Sequence, residues 1–257
     1  MSDFTPTPAR HNHILTLLAQ QGRLSVAEIV EQFSISEATA RRDLELLASL
    51  GKVQRGHGGV IALKQAPPEL PILEREIEQA EEKSRIGRAA ASLINDNETI
   101  FLGSGTTVLE VARHLRQRKN LSVITNSLPV LNILSGFQEI TVIALGGVLR
   151  DSELSFIGHI TEQALAELRA DKVIIGARAV SLEHGLTNDY LPETLTDRAI
   201  MNVGREVVLV SDHSKINRVS TTLLAPLTRV HKFVTDKQTP QDFISDLEKM
   251  GITTLVV

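Results

Sequence analysis

The stretch FLGSGTT, Phe101 to Thr107, sets a serine and two threonines around glycines where an apolar strand pattern gives way to a helical one. Backbone N–H groups exposed at such a helix start attract anions. Gly103 and Gly105 would let a phosphate approach closely, and Ser104, Thr106 and Thr107 add hydroxyl donors. The loop has neither the lysine of a P-loop nor the third glycine of a dinucleotide fingerprint, and a simple tight turn would carry the same residues. Asn126, in TNS, and the pair Gly146-Gly147 fall at the carboxyl ends of two more strand patterns, where open α/β sheets form their ligand crevice. SDHSK ends another and brings Asp212 and Lys215 to the same edge; a local Asp–Lys pair on a surface turn is the alternative. In NDYLPETLTDRAI, the residues Glu193, Asp197 and Arg198 stand at a helix start, and the two acids read as exposed or capping charges rather than catalytic groups.

A second chemistry lies near the N-terminus, in SEATARRDLELLASLGKVQRGHGG. A helix that enters a major groove presents its leading residues to base edges. Ser36, Glu37, Thr39 and Arg41 occupy that end, and Arg42 lies on the outer face. Arginine can read guanine or clamp phosphate, and hydroxyls can serve either. Arg55 and His57 sit where a hairpin tip would reach backbone or minor groove, with Gly56, Gly58 and Gly59 permitting the turn. Paired arginines on a solvated helix face are the plain alternative.

These groups require particular elements to hold them. RHNHILTLLAQQG has Ile14, Leu17 and Leu18 on one helical face and Gly22 as a stop. Ser25 and Glu28 are in capping-box register, which starts a second helix at about Val26. Ser36 caps a third, on which Ala40, Leu44 and Leu47 form the buried stripe, and Gly51 ends it. KVQR, GHGG and VIAL then read as strand, turn and strand, completing a winged helix-turn-helix over residues 1–63. KQAPPELP opens a linker, 64–74, stiffened by two prolines, and a long charged helix is expected over about Ile72 to Ile94. From there to residue 257, short β-branched runs (TIFL, LSVIT, ITVIAL, KVIIGA, EVVLVS, HKFVT, TTLVV) alternate with helical patterns, the rhythm of a doubly wound α/β domain over 75–257.

Composition narrows the functions. The chain has no cysteine, which excludes a disulfide framework and suits a reducing cytoplasm. No apolar run reaches membrane-spanning length, so a membrane partner is not expected. With no Trp and one Tyr, a platform stacking single-stranded bases is not expected either. The formal charge is −4 overall, but residues 1–64 hold seven basic and six acidic residues, leaving 20 and 25 for the remainder. Any basic footprint must therefore come from local placement.

SEATARRDLELLASLGKVQRGHGGV resembles the DNA-binding signature of the DeoR family of bacterial transcription regulators, and EKSRIGRAAASLI, GSGTT, VITNS, GGVLR, FIGH, GLT and DHSK follow in that family's order along almost the whole chain. The resemblance implies an α+β winged helix-turn-helix followed by an α/β domain resembling ribose-5-phosphate isomerase. It implies a phosphorylated sugar on the Ser104–Thr107 loop; Lys215, at the same strand edge, can pair with that phosphate and Asp212 can accept from sugar hydroxyls. Gly103 stands where many members carry an acidic residue, and Ala179 where many carry glycine, which bears on the hydroxyl contacts more than on the phosphate loop.

The expected function is a cytoplasmic, ligand-controlled regulator of double-stranded operator DNA, a repressor of a carbohydrate catabolic operon, without metal or cofactor. A repeated or palindromic operator calls for a homo-oligomer, dimer or tetramer. The alternative is a sugar-phosphate isomerase with an accessory DNA-binding module; its carboxylate base would have to be Glu193 or Asp212. A constitutive architectural DNA-binding protein would leave most of the chain without a purpose.

Overall fold

A computed structural model describes residues 7–56, 58–62 and 64–257. The N-terminal head is built from helix α1 (Thr7–Gln21), strand β1 (Arg23–Ser25), helices α2 (Val26–Phe33) and α3 (Glu37–Ser49), and the hairpin β2 (Val53–Gly56) and β3 (Gly59–Ala62). The expected caps form. Glu28 N–H donates to Ser25 Oγ at 3.1 Å while Ser25 N–H donates to Glu28 Oε2 at 2.6 Å, and Thr39 N–H donates to Ser36 Oγ at 3.2 Å. Gly51, at φ +64°, closes α3. Ile14, Leu18, Ile29, Leu44, Leu47, Val53 and Val60 fill one small core. Gly59 must be glycine, because a Cβ there would lie 2.1 Å from the Leu24 carbonyl oxygen of the neighbouring strand.

Beneath that core lies a polar lock. Arg10 on α1 donates twice to Asp43 on α3, at 2.6 and 3.0 Å, and His11 Nε2 lies 2.8 Å from the same carboxylate. Both side chains of the Arg10–Asp43 pair are buried. The guanidinium is raised by its hydrogen bond to Asp43, and the carboxyl is held below its ordinary range; burial opposes this, but bonds from Arg10 and His11 prevail.

The segment after the head is bound along its length. Strand β4 (Lys64–Gln65) pairs in parallel with a distant two-residue strand, Arg218–Val219. The single long helix expected over 72–94 is instead two, α4 (Ile72–Arg75) and α5 (Ala80–Ser92). The break has a local cause: Lys83 Nζ donates to the Arg75 carbonyl at 2.6 Å, and Gln79 turns left-handed at φ +50°.

The body continues with β5 (Thr99–Leu102), α6 (Thr106–Arg113), β6 (Leu121–Thr125), α7 (Leu128–Leu134), β7 (Ile140–Ala144), a β8 (Val148–Arg150) and β9 (Ser155–Ile157) hairpin, α8 (His159–Ala166), β10 (Ala170–Ile175), β11 (Ala179–Ser181), β12 (Gly185–Asn188), α9 (Leu191–Val203) and β13 (Gly204–Val210). It ends with β14 (Arg218–Val219), β15 (Thr222–Ala225), β16 (Lys232–Thr235), α10 (Gln241–Lys249) and β17 (Thr253–Val256). Seven strands form one sheet in the order β17-β16-β13-β10-β5-β6-β7, all parallel. Central strands are buried on both faces, as their uninterrupted apolar runs require. Apolar clusters flank the sheet on either side.

The order places the first strand of the sheet, β5, beside the fourth, β10. Chain connections leave these neighbours in opposite directions, so their carboxyl ends open a crevice. The loops after β5, β10 and β13 meet there.

Candidate functional site

Two surfaces carry the candidate residues. On the head, Ser36 is spent on capping α3, and Thr39 lies beside it with its hydroxyl 2.8 Å from Ser36 Oγ. Glu37 and Arg41 pair one turn apart at 2.6 Å, both exposed. Arg55, on the wing, stands 3.8 Å from Glu45. Exposed i,i+4 pairs contribute only a few tenths of a kcal/mol, about 0.3–0.5, so a phosphate or base edge can replace Glu37 at small cost. Arg42 is exposed and makes no ion pair among the described residues. His57 lies outside the described residues. Arg41, Arg42 and Arg55 are all exposed, and the Arg55–Glu45 contact brings the wing against helix α3.

On the body, the crevice at the strand reversal is a cleft with about 740 Å³ of empty space, its open mouth included. The α6 N-terminus opens into it. Gly105, at φ +108°, leads the helix with no side-chain cap, so the first N–H groups of α6 are uncapped by any side chain. The Thr106 and Thr107 side chains are buried, and neither they nor Ser104 have a hydrogen-bond partner among the described residues. Lys83, from α5, and Lys215, after β13, line the same cleft. Burial lowers both ammonium pKa values, and the charge of Asp212 opposes that fall. Asp212 is itself buried and accepts a hydrogen bond from Ser214 N–H at 2.9 Å, capping the turn that carries Lys215. An uncapped helix start, free hydroxyls and two ammonium groups make this end suited to an anion.

The rest of the cleft is a lattice of ion pairs. Glu69, from the segment before α4, bridges three guanidiniums: Arg150 at 2.8 Å, Arg75 at 3.8 Å and Arg178 at 3.8 Å. Arg75 also pairs with Glu153, Arg150 with Glu193, and Arg178 with Asp189. Asp197 accepts from Asn188 Nδ2 at 2.9 Å. Glu193 and Asp197 are thus buried, which corrects the expectation that they are exposed or capping charges; helix α9 turns its first-turn face inward against the β8–β9 hairpin and β12. Arg198, on the opposite face, is exposed. Burial, reinforced by the charge of Glu153, pushes Asp197 up to about 7. Burial pushes Glu153 and Glu193 up to about 8 against the pull of Arg75 and Arg150.

The structure brings Ser104, Gly105, Thr106, Thr107, Asp212 and Lys215 together in the cleft. It does not bring Gly103, Asn126, Gly146 or Gly147 to its lining. Gly103 is buried against β10, with its N–H donating to the Ile174 carbonyl at 3.0 Å. Asn126 follows β6 and donates to the Phe156 carbonyl at 3.0 Å. Gly146-Gly147 follows β7 and packs on α8; a Cβ on Gly147 would lie 2.2 Å from Thr161 Oγ1. Those loops lie one and two strands beyond β5, away from the reversal. Glu69, Arg75, Lys83, Glu153 and Arg178 are lining residues that the sequence did not reveal. Arg178 carried a signal, since it follows the strand pattern KVIIGA, and so did Lys83, which lies in the motif EKSRIGRAAASLI.

Comparison with known proteins yields two family matches and several full-length relatives. A family model described as the DeoR-like helix-turn-helix domain matches residues 10–66, and one described as the DeoR C terminal sensor domain matches residues 78–237. The chain is 37% identical over 231 residues to the glycerol-3-phosphate regulon repressor of Escherichia coli, covering 90% of this chain and 91% of that protein. It is 33% identical over 237 residues to the transcriptional repressor AccR of Agrobacterium fabrum, covering 92% of each. A solved ribose 5-phosphate isomerase A from Methanocaldococcus jannaschii aligns with a TM-score of 0.40 and 20% identity over 54% of this chain and 55% of that one.

Proposed function

Because this chain belongs to the DeoR family of transcriptional regulators, we propose that it represses a carbohydrate catabolic operon and is released from its operator by a phosphorylated sugar held in the cleft. The protein is a DNA-binding regulator whose relatives are named repressors. The observation that carries the effector reading is the uncapped start of α6, with the hydroxyls of Ser104, Thr106 and Thr107 opposite Lys83 and Lys215. In this reading the phosphate sits at that end, and the sugar hydroxyls reach toward Asn188, Asp189 and Asp212.

The protein acts in the cytoplasm as a dimer or tetramer, with residues 1–63 as the DNA-binding unit, 64–74 as connector and 75–257 as sensor. It binds rather than transforms its sugar. The relatives are named repressors, and Glu193, one of the two carboxylates that could serve as the base of an isomerisation, is tied to Arg150.

The test begins with a thermal-shift panel of glucose 6-phosphate, ribose 5-phosphate, glycerol 3-phosphate and inorganic phosphate, since a ligand of the folded state raises apparent stability. The strongest binder is then titrated into complexes with DNA from the gene's own surroundings. Lys215→Ala should bind operator as wild type does and need at least about tenfold more ligand for release, the equivalent of about 1.4 kcal/mol. Normal release by that variant would remove Lys215 from the effector site.

A further inference from the structure

The segment that connects head to sensor does not pass the cleft; it forms part of its wall. Its main chain is held at four places: β4 pairs with β14, the Pro67 carbonyl accepts from Arg178, the Leu70 carbonyl accepts from Arg75 at 2.9 Å, and the Ile72 N–H donates to the Ser152 carbonyl at 2.7 Å. Its one acidic side chain in the cleft, Glu69, reaches Arg75, Arg150 and Arg178 together. Two of these arginines, Arg75 and Arg178, line the space next to the anion-suited end.

We propose that Glu69 is a built-in competitor of the effector: its carboxylate holds the arginine cluster in the unliganded protein, and an anionic ligand entering the cleft displaces it and unclamps the segment leading to the DNA-binding head. The inference rests on the effector reading above. The lining sets four cations, Arg75, Lys83, Arg178 and Lys215, against six carboxyl groups, of which Glu153 and Glu193 are pushed up to about 8 and Asp197 to about 7, and Arg150 binds Glu69 at its border. An incoming phosphate competes with the ionised carboxylates for these partly desolvated cations, so its entry favours the departure of one of them. Five of those carboxyls, Glu153, Asp189, Glu193, Asp197 and Asp212, belong to elements of the body. Glu69 alone sits on the connector, so it is the anion whose departure has a consequence at the head. Ligand affinity and clamping then draw on the same arginines, which is the differential interaction that coupling between two sites requires.

The experiment uses full-length wild type and Glu69→Gln, which keeps the shape and removes the charge. Binding of glucose 6-phosphate, ribose 5-phosphate, glycerol 3-phosphate and inorganic phosphate is measured by calorimetry, and tryptic cleavage after Lys64 by mass spectrometry. Glu69→Gln should bind the best of these ligands about tenfold tighter. Its Lys64–Gln65 bond should be cut about tenfold faster than in unliganded wild type. Saturating ligand should bring wild type to the same cleavage rate. The wild-type comparison stands by itself if the variant does not fold. A wild type that binds ligand and leaves operator with Lys64 still protected overturns the inference and spares the effector reading. So does a folded Glu69→Gln with equal or weaker ligand affinity. Failure of all four compounds to bind either protein overturns both.

Discussion

Replacing Asp43 with alanine tests whether the head stands on its buried polar lock. Asp43 and Arg10 are 7% and 4% exposed at the side chain, and two hydrogen bonds at 2.6 and 3.0 Å join them. Deleting one partner of a buried pair leaves the other charge desolvated and costs about 3–5 kcal/mol. A unit of fewer than 70–80 residues rarely has more than about 3–5 kcal/mol of stability from its core. The two magnitudes are equal, so Asp43→Ala should leave the head near its unfolding midpoint or beyond it, while the sensor stays folded. Amide exchange in α1 and α3 should accelerate by at least about 100-fold, operator affinity should fall with the folded fraction, and the ligand-induced thermal shift of the sensor should persist. An acceleration below about fivefold would equate the pair with an exposed ion pair and refute the reasoning. The carboxyl's depressed pKa sets the sign of the pH dependence: its contribution is complete above the ordinary aspartate value and is lost as pH falls through the lower folded value.

Two further expectations follow from the same geometry. Arg42→Ala should weaken operator binding and reduce the slope of log affinity against log salt by about one; an unchanged slope would mean that Arg42 touches no phosphate. Asp197 has the opposite linkage to Asp43: its pKa is raised to about 7, so its contribution is complete below the unfolded value and is lost as pH rises through about 7. The sensor's Tm should therefore fall between pH 5.5 and 8.5 by more in wild type than in Asp197→Asn, and equal falls in calorimetry would show that this carboxyl does not titrate there.

The head was legible because its signals are local. Ser25, Glu28 and Ser36 cap helices within four residues of themselves, and Gly51 turns left-handed at the end of the helix it closes. Strands β5, β6, β10, β13 and β16 were legible for a related reason, since burial on both faces forces an apolar run. Strand order is a long-range property, and the placement of Asn126 and Gly146-Gly147 failed to reach the cleft on that account: carboxyl ends of strands were recognisable, but not which strands adjoin β5. Glu193 and Asp197 looked like helix-start charges because a first-turn acid is ordinarily solvated. The burial of Glu193 follows from arginines 118 and 43 positions earlier, Arg75 acting through Glu153 and Arg150 directly. Arg75 and Lys83 were hidden inside a pattern that read as one continuous helix.

The pairing of Lys64–Gln65 with Arg218–Val219 determines where the molecule can be cut and rejoined. Although residues 64–74 follow the head in sequence, their partners are all in the body, so they travel with it. A chimera that transplants a foreign reading head should be seamed between Ala62 and Lys64, and one seamed at Arg75 would discard Glu69 together with the carbonyls of Pro67 and Leu70. Exposed side chains in that stretch, such as Lys64, Gln65 and Leu73, are free to drift, whereas Glu69 and the buried Ile72 are not, and a single inserted residue would carry the carboxylate out of reach of its three arginines.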